Sequence, residues 1–274
     1  MVAFRGCNEG RRAFAGCVAV LRTCAVSATT DHGIGNVQEV GGAHAQVTRR
    51  RALSPAVEHY LQAIYALTAE RKVLIGARLA EHLRVSAPSV TQTLHRLERD
   101  GYVVLIDRGD RKEIQLTPTG YEIGEASTRK HRLIETWLVR DLKLSTTEAH
   151  EAAERLEAGF DELLLSRLFE ALGQPLACPH GNPIPGWGVI DHEGGYLDRV
   201  LAGDRVVIGR ITEEAEADLD LLTYLERNGI FPGVNLEIMA VDRRSGAVTA
   251  RSERGTEIRI EGRSAALIYV RSIA

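Results

Sequence analysis

The sequence predicts an α+β multidomain protein: an N-terminal winged helix-turn-helix, a helical middle domain and a C-terminal small β-barrel. Three observations carry this. Between Ser54 and Leu116, short helical patterns joined by a tight turn precede two strand-like segments around the polar turn DRGD. From Thr117 to about Leu172 the apolar residues keep helical spacing. Beyond Val189 the period changes to that of short strands, in RVVIGRI, NLEIMAVD, AVTARS, EIRIEG and ALIYVRSI, with turn residues between them.

Taken in chain order, Ser54 at the N-cap and Pro55 at the first helical position start a helix through SPAVEHYLQAIYALTAE. Leu79 to Leu83 make a short helix, Arg84-Val85 turns the chain, and Ser86 caps a second helix that buries Val90, Leu94 and Leu97 and ends at Gly101. Thr117 or Thr119 opens a long helix. Ser145-Thr146-Thr147-Glu148 opens another, which runs to about Leu172. GQPLACPHGNPIPGWG is loop. DLDLLTYLERNG is a helix among the barrel strands. The expected units are 53–122, 123–186 and 187–274.

The 274 residues are 44% apolar, enough for a sizeable core. The net charge is −3, but its distribution is uneven. Arg49 to Gln115 holds 12 Lys/Arg against 8 Asp/Glu, and the acidic excess lies beyond. Such an arrangement suits a DNA binder gated by another domain. Of four cysteines, Cys7, Cys17 and Cys24 precede residue 53 without metal-type C-x-x-C spacing, which leaves Cys178. That excludes a disulfide framework. No apolar run reaches the roughly 18 residues of a membrane span. AFAGCVAVL after Arg11-Arg12 has the outline of a signal peptide, but it is short and Arg22 interrupts the apolar stretch. Residues 1–52 therefore read as a disordered extension, from a start codon placed too far upstream, ahead of a cytoplasmic protein.

The helix after Ser86 exposes Ser86, Pro88, Ser89, Gln92 and His95-Arg96. Recognition helices present N-terminal residues to base edges in the major groove. Gln can address adenine and Ser several bases. Arg84, Arg96, Arg99, Arg108, Arg111 and Lys112 are placed to hold phosphates. A second pattern is HEAAERLEAGFDE, where His150, Glu154 and Glu157 share a helical face. This is either a metal-facing stripe or an ordinary wet face. No Ser-His-Asp set, nucleotide loop or HExxH motif occurs.

SAPSVTQTLHRLERDGYV, LTPTG, RKHRLIETWL and especially CPHGNPIPG resemble the diphtheria-toxin-repressor family of iron- and manganese-dependent transcription regulators. The resemblance covers residues ~54–274 through three domains in order. It implies a winged helix, a helical dimerisation and metal-binding domain and an SH3-like, FeoA-type domain. It also implies Mn²⁺ or Fe²⁺ as cofactor, a homodimer, and a double-stranded palindromic operator as partner, with no membrane involved. Ser86, Pro88, Ser89 and Gln92 match the family's DNA-contacting positions. One metal site maps to His59, Glu154, Glu157 and Ala158. The family usually has His at the last of these, Met or Asp at the first, and Cys at position 154 in its iron-type members. The Glu at 154 resembles the manganese type. The second site in one branch uses His131, Glu135 and His150 with a carboxylate from the SH3-like domain. In another it uses Glu135, Cys178, His180 and that carboxylate. Asp218 is the best match for the carboxylate, with Glu216 and Asp220 as alternatives. His131 and Glu135 have the i, i+4 spacing of metal ligands.

The expected function is metal-gated repression of metal-homeostasis genes, with ligation ordering a dimer for its operator. The alternatives are a metal-independent or redox-sensing winged-helix regulator acting through Cys178, and a metal-dependent hydrolase.

Overall fold

The structure, a computed structural model, describes residues 53–70, 73–190 and 193–273. The expected extension at 1–52 lies outside the described residues. Helix α1 (Pro55–Ala69) starts where Pro55 sets the backbone. Ser54 occupies the N-cap position, but its side chain makes no capping bond. Instead its carbonyl accepts from Val57 and Glu58 N–H at 2.9 and 3.2 Å. Helix α2 (Gly76–Leu83) begins three residues before the expected Leu79 and ends at Arg84, whose φ is 53°. Helix α3 (Ala87–Arg99) is capped by Ser86, whose hydroxyl accepts from Ser89 N–H at 3.4 Å. Strands β1 (Val103–Asp107) and β2 (Lys112–Leu116) pair antiparallel and form the wing. Val57, Leu61, Ile64, Leu67, Leu79, Val90, Leu94, Leu97, Val103 and Ile114 close the core beneath them.

Helix α4 (Pro118–Arg140) is capped by Thr117, which accepts from Gly120 N–H at 3.1 Å; this decides between Thr117 and Thr119. Its N-terminal half packs on α1 and its C-terminal half on α5 (Thr146–Leu156), which starts with a reciprocal Ser145–Glu148 capping box. The expected single helix from 145 to about 172 is broken. A 3₁₀ turn occupies Glu157–Gly159, Phe160 is extended, and α6 (Glu162–Ala171) begins anew with Asp161 accepting from Leu164 N–H at 2.9 Å. Gly159 weakens the helix here. The break also turns Phe160 into the core beside Trp137, at 6.3 Å between ring centroids.

The C-terminal part holds β3 (Gly195–Tyr196), β4 (Arg205–Ile211), α7 (Glu213–Glu216), α8 (Leu219–Arg227), β5 (Asn235–Val241), β6 (Val248–Ser252), β7 (Glu257–Ile260), α9 (Gly262–Ala265) and β8 (Ile268–Ser272). The six strands pair antiparallel in the order β3-β8-β4-β5-β6-β7. Alternate residues such as Val206, Ile208, Leu236, Ile238, Ile258 and Ile260 fill its interior. The short helices α7 and α9 and the short strand β3 add to the elements expected from the sequence. None of the described helices is long and apolar enough to cross a membrane.

Polar bonds tie this sheet to the helices. Arg210 of β4 grips Glu70, just past α1, with two bonds of 2.6 and 3.0 Å. Arg78 of α2 reaches Glu214 at 2.6 Å, and Arg132 of α4 reaches Glu213 at 2.8 Å. The first and last are buried, and removing one partner of a buried pair typically costs about 3–5 kcal/mol.

The α1–α4 contact supplies a stability test. A Cβ on Gly124 would lie 2.6 Å from the Leu61 carbonyl oxygen and 2.8 Å from Tyr65 Cβ. Alanine in a helix ordinarily gains about 0.5–1 kcal/mol over glycine. Here overpacking, typically about 1–3 kcal/mol, wins because backbone must move. Gly124→Ala is expected to lower the thermal midpoint by several degrees. Gly159→Ala, with nothing within 4 Å of the new atom, is expected to leave it unchanged or raise it. A Gly124→Ala midpoint at or above wild type would contradict this packing.

Candidate metal centre and nucleic-acid face

Glu135 sits in the C-terminal half of α4 on its buried face with 0% exposure, and neither carboxylate oxygen has a hydrogen-bond partner. His131, one turn earlier, faces the same way. α5 contributes His150. The CPHGNP loop contributes Cys178 and His180 through a tight turn, in which Cys178 N–H donates to Asn182 O and Gly181 N–H to Cys178 O, both at 2.9 Å. Gly181 has φ +83°, and a Cβ there would meet the Gly209 carbonyl at 2.4 Å. Only glycine lets the loop press this closely on β4, where Ile211 N–H donates to His180 O at 2.8 Å.

Two triads result: His131, Glu135 and His150, and Glu135, Cys178 and His180. His150 Nδ1 and His180 Nδ1 lie 3.4 and 3.3 Å from Glu135 Oε1. His131 Nε2 is 3.2 Å from His150 Nδ1. The barrel's carboxylate is Glu216 of α7, 3.8 Å from His150 Nδ1 and 3.4 Å from His180 Nδ1. Asn182 donates to Glu216 Oε1 at 2.5 Å and to Ile211 O at 2.7 Å, and accepts from Arg210 at 3.1 Å. This fixes the carboxylate's direction.

The electrostatics are those of a buried, mutually dependent set. Burial opposes the charge on Glu135, but His180, His150 and His131 outweigh it and hold the carboxyl well below its usual range. Burial lowers His131, yet the Glu157 bond at 2.6 Å and the charge of Glu135 raise it to about 9. His180 is raised well above its usual value, with Glu216 and Glu135 overcoming burial. Burial pushes Glu216 up to about 7 and the Cys178 thiol up to about 11.

Four expected ligands stand elsewhere. Asp218 does not join the centre, because its carboxylate caps α8, accepting from Leu221 N–H at 3.0 Å. His59 is exposed on α1, opposite the buried face of Val57, Leu61 and Ile64. Glu154 is 45% exposed, with His150 Nε2 at 3.9 Å. Glu157, at the C-terminal cap of α5 where the 3₁₀ turn begins, orients His131 instead, 2.6 Å from its Nδ1. Among the described residues no triad forms around His59, Glu154 and Glu157, and Ala158 offers no donor.

The second face is α3. Ser86, Pro88, Ser89, Gln92, Arg96 and Arg99 are all exposed, opposite Val90, Leu94 and Leu97. Arg111 and Lys112 are exposed on the wing, while Arg108 pairs with Glu113 at 3.1 Å. Arg84, expected on phosphate, instead donates to the Ala217 carbonyl beyond α7. Sequence reasoning missed Asn182, Glu213 and the Glu70–Arg210 pair. Glu213 and Glu216, three apart after Thr212, do carry the pattern of one face of a helical turn.

The donors fit a divalent transition metal. Carboxylates, imidazoles and one thiol suit such an ion. The orphaned oxygens of Glu135 and both ring nitrogens of buried His180 are atoms that such a cation would satisfy.

Three family models match the chain: the iron dependent repressor N-terminal DNA binding domain over residues 52–109, the iron dependent repressor metal binding and dimerisation domain over 117–186, and the FeoA domain over 196–272. The iron-dependent repressor IdeR of Mycobacterium tuberculosis is 37% identical over 197 residues, 68% of this chain and 84% of that protein. The diphtheria toxin repressor of Corynebacterium diphtheriae is 35% identical over 220 residues, 76% of this chain and 93% of that one. A solved manganese-dependent transcriptional repressor in complex with manganese superposes with a TM-score of 0.68 at 30% identity, covering 79% of this chain and all of that one.

The raised groups set a pH test. His131 moves from 6.5 to about 9 and Glu216 from 4.5 to about 7. Each therefore contributes stability that is full below its unfolded value and is lost as pH rises through its folded one. Chelated protein is expected to lose thermal stability progressively from pH ~5 to ~9, with the Glu216 contribution lost between about 4.5 and 7 and the His131 contribution between about 6.5 and 9. Metal binds the deprotonated ligands, so the rise in midpoint caused by Mn²⁺ is expected to grow over the same window. Thermal denaturation with chelator and with Mn²⁺ measures both. A Mn²⁺ effect that shrinks from pH ~7 to ~9 would contradict the ligand assignment.

Proposed function

Because the chain belongs to the iron-dependent repressor family, we propose that it is a metal-dependent DNA-binding repressor that senses Mn²⁺ or Fe²⁺. It acts as a homodimer on a palindromic operator, in the cytoplasm, at genes of metal-ion homeostasis. The observation that carries this reading is Glu135. Its unpartnered carboxylate is met by side chains from α5, the CPHGNP loop and α7. A bound ion takes the place of the protons that the metal-free histidines hold around it.

The ligating residues do the coupling. Glu135 and His131 ride on α4, whose first half packs against α1 of the winged helix. Glu216 rides on α7, and its neighbours Glu213 and Glu214 bond Arg132 and Arg78. Drawing Glu216 and His180 toward Glu135 therefore tightens the barrel against both α4 and α2. That sets the orientation of α3, and in a dimer the spacing of two α3 helices over successive major grooves. Metal and DNA must then favour each other equally, typically by about 1–3 kcal/mol. The redox alternative loses its basis, because Cys178 is buried and its thiol is pushed up to about 11; such thiols are inert.

The test is fluorescence anisotropy on a duplex carrying its own or a neighbouring transporter promoter. Protein is titrated with chelator, with Mn²⁺ and with anaerobic Fe²⁺. Either metal is expected to tighten binding by about 5–150-fold. Glu135→Ala is expected to abolish that response. Gln92→Ala or Arg96→Ala should weaken binding by about 1–3 kcal/mol while leaving the metal-induced rise in thermal midpoint intact. Specific binding of equal strength with and without metal would overturn the proposal.

A further inference from the structure

Beyond Gln92, the polar side chains of α3 are not equally available. The buried stripe is Val90, Leu94 and Leu97, so the opposite face runs through Pro88, Gln92, His95 and Arg99. Thr91 lies to one side, and its hydroxyl is already used, donating to the Ala87 carbonyl at 3.0 Å. Glu98 is turned toward the wing, where its Oε1 accepts from Leu105 N–H of β1 at 3.3 Å. Arg99 has its Nε 3.7 Å from Asp100, and a chain of that length and charge suits a phosphate. His95 stands between Gln92 and Arg99 with its side chain 53% exposed. Its Nδ1 faces Glu98 Oε2 at 3.6 Å, and among the described residues its Nε2 meets no polar partner.

We propose that His95 is a further base-reading residue, set beside Gln92 in the major groove, where its Nε2 accepts a hydrogen bond from the exocyclic amino group of an adenine or a cytosine. The proposal rests on the DNA-binding reading and deepens it, by naming what this part of α3 recognises. The tautomer follows from the surroundings of the ring. A carboxylate facing Nδ1 favours a proton there, which leaves the outward nitrogen as an acceptor. Because β1 holds Glu98, the ring takes its direction from the wing. In the major groove the amino donors are adenine N6 and cytosine N4, while guanine and thymine show acceptors there. An acceptor on the helix therefore sorts A and C from G and T on the strand it faces. The spacing suits this role. His95 lies three residues beyond Gln92, about 4.5 Å along the helix axis, against about 3.4 Å per base step. Gln92 and His95 can therefore meet neighbouring base pairs.

Two plainer roles for His95 predict different behaviour. As a cation on a phosphate it would add affinity on every sequence alike and steepen the salt dependence. As a helix-surface partner of Glu98 it would affect stability and leave sequence preference alone.

The experiment is fluorescence anisotropy of the full chain with Mn²⁺, on the promoter duplex and on duplexes in which each base pair of the bound site is replaced in turn. Gln92→Ala first locates the base pair that Gln92 reads, as the position where its preference disappears. At a neighbouring position in each half-site the wild-type chain is expected to prefer A or C by about 3–10-fold, the worth of one hydrogen bond. His95→Ala is expected to erase that preference alone, while the thermal midpoint and its rise with Mn²⁺ stay as in the wild type. An unchanged base profile in His95→Ala would overturn the proposal, and so would a preference for G or T at the position that His95 governs. Uniform weakening on all duplexes, with a shallower salt dependence, would overturn it in favour of a phosphate contact. Each of these results leaves metal-gated repression standing. A wild-type chain that binds every duplex equally with metal present would remove both.

Discussion

A carboxylate with no exposure and no hydrogen bond is a costly thing to keep inside a protein, and Glu135 is one. Much of the surrounding structure answers to it. Three histidines crowd its side of α4, two of them within 3.4 Å. The loop that brings His180 there depends on the positive φ of Gly181 and on its close approach to β4. Without metal the set is held by shared protons, with histidines raised and Glu216 half-titrated near neutrality. Cations can replace those protons at the same atoms, which makes metal loading and stability one linked equilibrium.

The second consequence is mechanical. Ligands at Glu135 come from segments that also carry the ties between sheet and helices. Asn182 links Glu216 to Arg210, and Arg210 grips Glu70 at the end of α1. Arg132, three residues before Glu135, holds Glu213 and the Pro183 carbonyl. Arg84, beside the recognition helix, bonds the carbonyl just beyond α7. A shift of Glu216 is therefore felt at α1, α2 and α4 together, through short polar bonds and packed side chains.

Much of this was legible in the residues. Ser86 and Thr117 announced helix starts because their hydroxyls satisfy orphan N–H groups locally, and the alternating strands of the sheet announced themselves by period. The exposed face of α3 followed from its buried stripe. The features that escaped were those decided by tertiary context. The helix expected from Ser145 to about Leu172 breaks because Phe160 gains a core position beside Trp137, which no local pattern states. Glu157, at the end of α5, pairs with His131 across the α4–α5 contact. Asp218 and Glu216 differ by two residues, and choosing between them required knowing that α8 takes Asp218 as its cap. The exposure of His59 follows from the apolar stripe of Val57, Leu61 and Ile64 on the other side of α1; it was the resemblance that made it a ligand candidate. The ancillary bonds of Asn182, Glu213 and Glu70 span about thirty to 140 residues of chain, beyond the reach of any periodicity.

The most direct measurement is anomalous diffraction at the manganese absorption edge from crystals grown with Mn²⁺. The account requires anomalous density against Glu135, in contact with its carboxylate and with Glu216. Density beside His59 and Glu154 with none at Glu135 would contradict it, and would place the metal on the outer stripe of α5.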